Sequence, residues 1–240
     1  AILTARRNKK TIGMSELQES MERVVMGPER KSRVITEKEK RVVAFHEAGH
    51  AILFHVLEHT FPVHKITIVS RGRAGGYVMP LPDEDNNLVT KEMFEDMICA
   101  TMGGRAAEEV AIGEITTGAS NDLQRVTSLA KRMVASFGMS DAIGPLNFGE
   151  DERQPFLGYS LSQGRNYSEA TAARIDAEVR HIVERAHEST LALVQQNRDK
   201  LDALAHELLT NEVVDGVRVA EIAGVAASES QVAIQGAGAD

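Results

Sequence analysis

One string of five residues constrains both the local fold and the chemistry of this chain: His46-Glu47-Ala48-Gly49-His50 lies within a run of helical periodicity. Thr36 and Glu39 have the spacing of a helix capping box, and apolar residues follow at intervals of three or four as far as Leu57. With about 100° of rotation per residue, two histidines four positions apart differ by only about 40° around a helix axis. The pattern therefore predicts one helix over 36–57 that carries both imidazoles on the same face.

This arrangement favours a zinc site. Two neutral imidazoles and a carboxylate are typical zinc ligands, and a fourth position left for water is typical of catalytic zinc. Zinc lowers the pKa of that water to about 7, and Glu47 is placed to take the proton and later to protonate a departing amine. We expect His46 and His50 to bind one zinc ion and Glu47 to be the base of a peptide hydrolysis.

Two other interpretations are compatible with the same residues. In the first, the histidines contact only water, and the amphipathic helices between Ser168 and Leu209 form an interaction module without catalysis. In the second, the zinc is structural, which requires a closed shell of four ligands. Because the sequence offers no further well-placed Cys or His for such a shell, we prefer the catalytic interpretation.

A nearby histidine is not expected to be the third zinc ligand. His55 and His59 follow His46 by nine and thirteen residues, which places them about 180° and 220° around the same helix. The longer metzincin pattern also fails, because Leu53 and Val56 stand where it has a glycine and a third histidine. An acidic ligand is therefore expected.

Three acidic residues are candidates for that ligand: Asp122, Glu108 and Glu109. Asp122 follows the glycine-containing segment 118–121, which allows its carboxylate to turn into a cleft. An acid in the first turn of a helix is also favoured by the helix dipole without any metal, so the residues alone leave the choice open. If Asp122 is the ligand, Glu108 or Glu109 orients an imidazole N–H or faces solvent.

The rest of the chain predicts a mainly α fold with a small β-hairpin near the active site. Two β-prone stretches, within 65–69 and 77–79, flank a glycine-containing turn at 71–76. If Ile66 to Val69 or Tyr77 to Met79 has a free edge beside the zinc, an extended substrate can add to it as a strand. Helices are predicted over 15–25, 91–111, 120–137, 175–194, 201–209 and 219–222, with a weakly ordered connection at 138–167 and a disordered tail at 226–240.

Composition argues against several classes of protein. The 27 basic and 35 acidic residues give a net charge of −8, which disfavours binding to the phosphates of nucleic acid. The single cysteine, Cys99, cannot form an internal disulfide, and its apolar neighbours indicate a buried thiol. No apolar run approaches the roughly 18 residues of a membrane-spanning helix.

Three further stretches are distinctive: Met26 to Ser32 (MGPERKS), Gly103 to Glu109 (GGRAAEE) and Thr116 to Leu123 (TTGASNDL). Together with the histidine motif they resemble the FtsH family of membrane-anchored, ATP-dependent zinc proteases. The resemblance implies that His46, His50 and Asp122 are the zinc ligands and that Glu47 is the catalytic base. It also implies a mainly helical protease domain in a homohexameric ring, which receives unfolded or membrane-extracted polypeptides from an attached ATPase ring.

The same resemblance divides the chain into three segments. Residues 1–27 resemble the end of an ATPase lid, 28–225 a zinc metalloprotease domain, and 226–240 a disordered tail. The sequence has no G-x-x-x-x-G-K-[ST] phosphate loop, so ATP binding and membrane anchoring are expected of segments outside these 240 residues. The resemblance further implies a full-length protein anchored in a membrane, with a bacterial inner membrane preferred, and with this soluble part on the cytoplasmic side.

Overall fold

The computed structural model describes residues 1–25, 27–28, 36–72, 74–81, 88–149 and 167–227. Within them the chain is mainly α-helical, as predicted, with one small sheet. The helices and strands are α1 (Ile2–Arg6), α2 (Met14–Val25), α3 (Glu37–Val56), β1 (Val63–Thr67), β2 (Tyr77–Pro80), α4 (Lys91–Ala107), α5 (Ser120–Ala135), α6 (Glu169–Gln196), α7 (Arg198–Asn211), β3 (Val213–Asp215) and α8 (Gly216–Ala223). A π-helical turn, Glu108–Ile112, continues α4, and a 3-10 turn, Thr117–Ala119, leads into α5.

Helix α3 lies at the centre of the fold, and its residues 44–53 are buried. The hydroxyl of Thr36 accepts the amide of Glu39 at 3.2 Å, which confirms the predicted N-terminal cap. Helix α3 crosses α4 at two glycines, because a methyl group on Gly103 would lie 2.7 Å from the carbonyl oxygen of Gly49. The absence of both side chains lets the two backbones approach closely.

Two apolar clusters form the core, and α4 contributes to both. The first cluster joins α3, the sheet, α7 and α8, with Leu53, Ile66 and Leu204 fully buried in it. The second joins α4, α5 and α6 around Ile98 and Met133. Helix α3 thus packs in the first cluster and α5 in the second, so a contact between their side chains lies where the two clusters meet.

The sheet is antiparallel, with strand order β2-β1-β3. Its β1–β2 pair confirms the predicted hairpin, with Thr67 opposite Tyr77. The third strand was not predicted; it is three residues long and pairs Val214 with Ile66. Strand β1 is therefore paired on both sides, and β2 is an edge strand of this sheet within the described part of the chain.

The structure gives the starts of two predicted helices in detail. Helix α2 begins at Met14, one residue before the predicted 15–25, and the amide of Gly13 donates to the carboxylate of Glu16 at 3.1 Å. Helix α5 begins at Ser120, as predicted, and the preceding 3-10 turn runs directly into it. The cap is on that turn, where the hydroxyl of Thr116 accepts the amide of Gly118.

Three remaining predictions concern ordering, burial and membrane spans. Of the predicted weakly ordered connection and disordered tail, residues 150–166 and 228–240 lie outside the described residues. Cys99 is buried as predicted, and burial raises the pKa of its thiol. None of the described helices combines the length and the apolar character needed to cross a bilayer.

Candidate metal centre

The two motif histidines of α3 converge on one point. Their Nε2 atoms lie 3.2 Å apart, and their rings are nearly perpendicular, at 79°. The side chains of His46 and His50 are 11% and 10% exposed. The predicted common face of the helix is therefore present and turned into the protein.

Each imidazole is held through its other nitrogen. Nδ1 of His46 lies 2.7 Å from Oε1 of Glu108, and Nδ1 of His50 lies 2.8 Å from the carbonyl oxygen of Ala100. A carboxylate and a carbonyl only accept hydrogen bonds, so Nδ1 carries the proton in each ring. Nε2 is then the nitrogen of each ring that is left for a metal, and both Nε2 atoms are directed to the same point.

Asp122 supplies a third donor atom from a different helix. It lies in the first turn of α5, and its Oδ2 is 3.1 Å from Nε2 of His46 and 3.5 Å from Nε2 of His50. These three residues form a group with the composition and spacing of a metal site. With zinc about 2.0–2.1 Å from each ligand, a tetrahedral shell has ligand atoms roughly 3.3 Å apart, so the donor set fits zinc.

The other two acidic candidates have different contacts. Glu108 is 1% exposed, and its second oxygen accepts the amide of Thr116 at 2.8 Å. Glu109 forms an ion pair with Arg105 at 3.0 Å. Glu108 therefore orients the ring of His46, whereas neither glutamate belongs to the group of three converging donors.

Hydrogen bonding favours a positive charge at this centre. Burial lowers the pKa of His46, but hydrogen bonds to Asp122 and Glu108 outweigh it and raise that pKa to about 10. Burial also opposes ionisation of Asp122, yet hydrogen bonds with His46 and His50 hold the pKa of its carboxyl well below the usual range. The arrangement thus stabilises a proton where a metal cation would bind.

Glu47 lies beside this group and is 7% exposed. Burial raises the pKa of its carboxyl against the opposing charges of His46 and His50. A methyl group on Gly76, the residue before β2, would lie 2.8 Å from Cγ of Glu47. The residue that precedes the edge strand therefore lies against Glu47.

Sequence reasoning did not assign two backbone contributions from α4 to this centre. The carbonyl of Ala100 binds His50, and a carbonyl leaves no signal in residue type. Gly104 leaves room for both rings, because a methyl group there would lie 2.5 Å from each Nε2. The sequence did carry a signal for close packing at Gly104, since a glycine inside a helix is costly and indicates that another group approaches closely.

The histidines excluded by their angle on the helix have other contacts. Nδ1 of His55 lies 3.1 Å from the carbonyl oxygen of Ala51, and Nδ1 of His59 lies 3.1 Å from Oδ2 of Asp96. His59 lies beyond the end of α3, so its position is set by the following turn rather than by the helix. Neither residue belongs to the metal group.

Comparison with known proteins gives a family match and close relatives. Residues 33–222 match peptidase family M41. An ATP-dependent zinc metalloprotease FtsH of Kosmotoga olearia is 51% identical over 229 residues, which cover 95% of this chain and 36% of that protein. Relatives of the same description from Sphaerobacter thermophilus and Slackia heliotrinireducens are each 50% identical over 216 residues, which cover 90% of this chain and 33% and 28% of those proteins. The chain thus spans about a third of the length of the curated relatives it matches.

Proposed function

The chain belongs to peptidase family M41, and from this premise we propose that it hydrolyses peptide bonds at a zinc ion held by His46, His50 and Asp122, with Glu47 as general base. It is a zinc metalloprotease, a hydrolase. The proposal for the residues is carried by one observation: two imidazole nitrogens and a carboxylate oxygen from α3 and α5 lie 3.1–3.5 Å apart.

The residues around the ion have separate roles in the proposed reaction. A zinc ion held by His46, His50 and Asp122 would supply Lewis-acid chemistry, which polarises a carbonyl and lowers the pKa of water. Glu108 and the Ala100 carbonyl accept the Nδ1 protons of the two rings, which leaves Nε2 of each ring to bind zinc once His46 has lost its second proton. Glu47 accepts the proton of the attacking water and passes it to the leaving amine, and its raised pKa suits both steps.

The sheet supports a proposal for how the substrate binds. Because β1 is paired on both sides, the predicted edge at Ile66 to Val69 is closed, and Tyr77 to Met79 in β2 is the edge that an extended peptide would join. Gly76, the residue before this strand, lies against Glu47, which would place the peptide backbone beside the base. Backbone pairing tolerates many sequences, as degradation of unfolded chains requires.

The names of the relatives support a wider proposal for the whole protein. We propose that segments outside these 240 residues supply ATP hydrolysis and membrane anchoring, with this domain on the cytoplasmic side of a bacterial inner membrane. Residues 1–27 would end the ATPase lid and 28–225 would form the protease domain. The substrates would be unfolded or membrane-extracted polypeptides, and the assembly a homohexamer.

Casein degradation tests the catalytic proposal. The chain with zinc is expected to degrade unfolded casein and to lose this activity when a chelator is added. Glu47→Gln should retain one zinc per chain and lose roughly 10²–10⁴-fold in turnover, the usual contribution of a general base. Glu37→Gln, at an exposed position on the same helix, is the matched control and should behave as the unmodified chain.

Two results would contradict the proposal. One is casein degradation by Glu47→Gln at the rate of the unmodified chain. The other is an unmodified chain that binds no zinc at micromolar concentration, which would favour a helical interaction module instead.

A further inference from the structure

A second group of buried ionisable side chains lies outside the metal centre, around Glu22 of α2. The side chain of Glu22 is 5% exposed. Its Oε1 accepts a hydrogen bond from Nζ of Lys65 at 2.8 Å, and its Oε2 accepts one from the hydroxyl of Tyr77 at 3.2 Å. Oε2 also lies 3.1 Å from a guanidinium nitrogen of Arg71. One carboxylate thus contacts three donors, two of them cationic, and such charge-assisted contacts are strong when buried.

The three partners come from successive parts of one hairpin. Lys65 lies in β1, Tyr77 is the first residue of β2, and Arg71 lies in the turn between them. The turn is itself closed by two backbone hydrogen bonds between Arg71 and Ala74. Glu22 therefore connects α2 to both strands and to their turn.

A backbone contact holds the same turn independently of Glu22. The carbonyl of Pro28, three residues after α2 ends, accepts the amide of Gly72 at 3.2 Å. Both α2 and Pro28 precede residues 33–222, the part that matches the peptidase family. A segment outside the matched region therefore braces the hairpin of the peptidase domain.

The braced end of β2 is the end that touches Glu47. Tyr77 directly follows Gly76, whose backbone packs against the side chain of Glu47. Burial, together with the negative charge of Glu22, raises the pKa of Tyr77 to about 12. The hydroxyl of Tyr77 therefore remains a hydrogen-bond donor to Glu22 at neutral pH.

We infer that Glu22 is a positioning residue for peptide cleavage: it fixes the start of β2 against Glu47 and so presents the edge of β2 to an extended substrate. The inference rests on the proposed function, because it assigns Glu22 to the strand that the substrate would join. Loss of its charge removes the anion that lies between Lys65 and Arg71 and replaces one acceptor oxygen by an amide NH2 group. Repulsion between the two cations then loosens the hairpin.

Hydrogen exchange of the zinc-free protein tests the inference without using activity. In Glu22→Gln the backbone N–H groups over residues 74–80, which all but Pro80 carry, are expected to exchange roughly tenfold faster, because the brace on β2 is weakened. Glu19→Gln is the matched control, since Glu19 lies on the same helix and pairs with Arg7 and Arg23. This control should leave exchange over 74–80 unchanged.

Kinetics with zinc give a second readout. Glu22→Gln should keep one zinc per chain and raise KM for a fluorogenic casein peptide about tenfold, with kcat changed less than about twofold, because substrate binding rather than chemistry is weakened. Glu22→Asp keeps the charge and should restore KM at least in part. If Glu22→Gln does not fold, Tyr77→Phe, which removes one hydrogen bond, should still accelerate exchange over 74–80.

The outcomes separate this inference from the proposed function. Unchanged exchange over 74–80 in Glu22→Gln and in Tyr77→Phe overturns the inference, as does an equal change in Glu19→Gln. An unmodified chain without zinc-dependent cleavage overturns the proposed function, whatever the exchange data show.

Discussion

His46 lies between two carboxylates, one at each ring nitrogen. Asp122 is at Nε2, where His50 also points, and Glu108 is at Nδ1. A carboxylate at Nδ1 sets the orientation and basicity of the ring, whereas one at Nε2 shares the point to which the metal would bind. The two acids should therefore differ in their effect on zinc affinity.

Substitution of each acid tests this difference. Glu108→Gln is expected to weaken zinc binding about 10- to 100-fold while one zinc still binds at saturation, because the amide can accept the same hydrogen bond. Asp122→Asn removes an anionic ligand and should weaken binding by more than about 100-fold. Titration against a chromogenic chelator measures both values. The reverse order would make Glu108 the ligand and Asp122 a helix-capping acid.

Zinc binding should release a proton from His46 at pH 7.5. The pKa of His46 in the metal-free protein is raised to about 10, so the imidazole is protonated there and must lose its proton to bind zinc. Zinc affinity should therefore rise with pH toward about 10. Calorimetry in two buffers of different ionisation enthalpy counts the proton, and zero release at pH 7.5 would contradict the raised pKa.

The raised pKa has the opposite effect on the stability of the metal-free protein. A pKa that is higher in the folded state than the ordinary 6.5 stabilises the fold fully below pH 6.5, and this contribution is lost as pH rises through about 10. Urea unfolding of the metal-free protein across this range should show the decrease.

Spacing along the sequence was enough to predict that His46, Glu47 and His50 lie together in one site, because periodicity within a single helix determines where each side chain lies. Spacing did not decide whether Asp122 or Glu108 is the third ligand, since the distances of both residues from His46 depend on how α3, α4 and α5 pack. The structure distinguishes them by contact with one or the other ring nitrogen.

Among the helices and strands, the crossing of α3 and α4 is the contact on which the site depends. A methyl group on Gly49 would lie 2.5 Å from Cβ of Ala107 and 2.9 Å from the carbonyl carbon of Gly103. The helices would have to separate to admit it. Because α4 also carries Gly104 and the Ala100 carbonyl, separation would loosen the support of both imidazoles.

Gly49→Ala is therefore expected to destabilise the protein. Helix propensity alone would stabilise it by about 1 kcal/mol, whereas forcing a methyl group into a filled contact costs about 1–3 kcal/mol. We expect the steric cost to exceed the gain, which urea unfolding measures. Ala192→Gly, at an exposed position of α6, calibrates the propensity effect in this protein. A more stable Gly49→Ala would show that the helices separate at little cost.

Strand addition at β2 predicts a periodic response to proline in the substrate. Along an added strand, backbone N–H groups face β2 at every second residue, and proline removes the donor. Proline placed successively through a peptide substrate should lower kcat/KM about five- to tenfold at alternate positions, the effect of roughly one hydrogen bond. An equal response at adjacent positions would rule out strand pairing.

Long helices and the hairpin were predictable, whereas β3 was not. Helices α3 to α7 carry sustained apolar periodicity, and the hairpin has two β-prone stretches around a turn. Strand β3 has three residues, too few for a periodic signal, and forms because β1 offers it a partner. Its presence decides which edge of the hairpin is unpaired among the described residues, so the proposed substrate edge depends on a pairing that the sequence does not reveal.

Across the whole molecule, the metal centre joins two parts of the core. His46 and His50 come from α3 in the first apolar cluster, and Asp122 comes from α5, which packs in the second. At their junction His46 lies between the carboxylates of Glu108 and Asp122. A cation bound at this point would connect the two clusters directly.

Zinc should therefore stabilise the entire fold. Binding to the folded state alone adds RT ln(1 + [Zn]/Kd), about 4 kcal/mol when free zinc is 1,000 times Kd. Glu47→Gln is the protein to use, because it should keep the metal without digesting itself during the measurement. Its melting temperature should rise with zinc and fall with chelator, in a single transition if the two clusters unfold together.

The double variant Glu47→Gln, Asp122→Asn is the control, and its melting temperature should rise much less at the same zinc concentration. An equal gain in both proteins would place the stabilising zinc elsewhere, and no gain in either would mean that zinc does not hold α3 and α5 together.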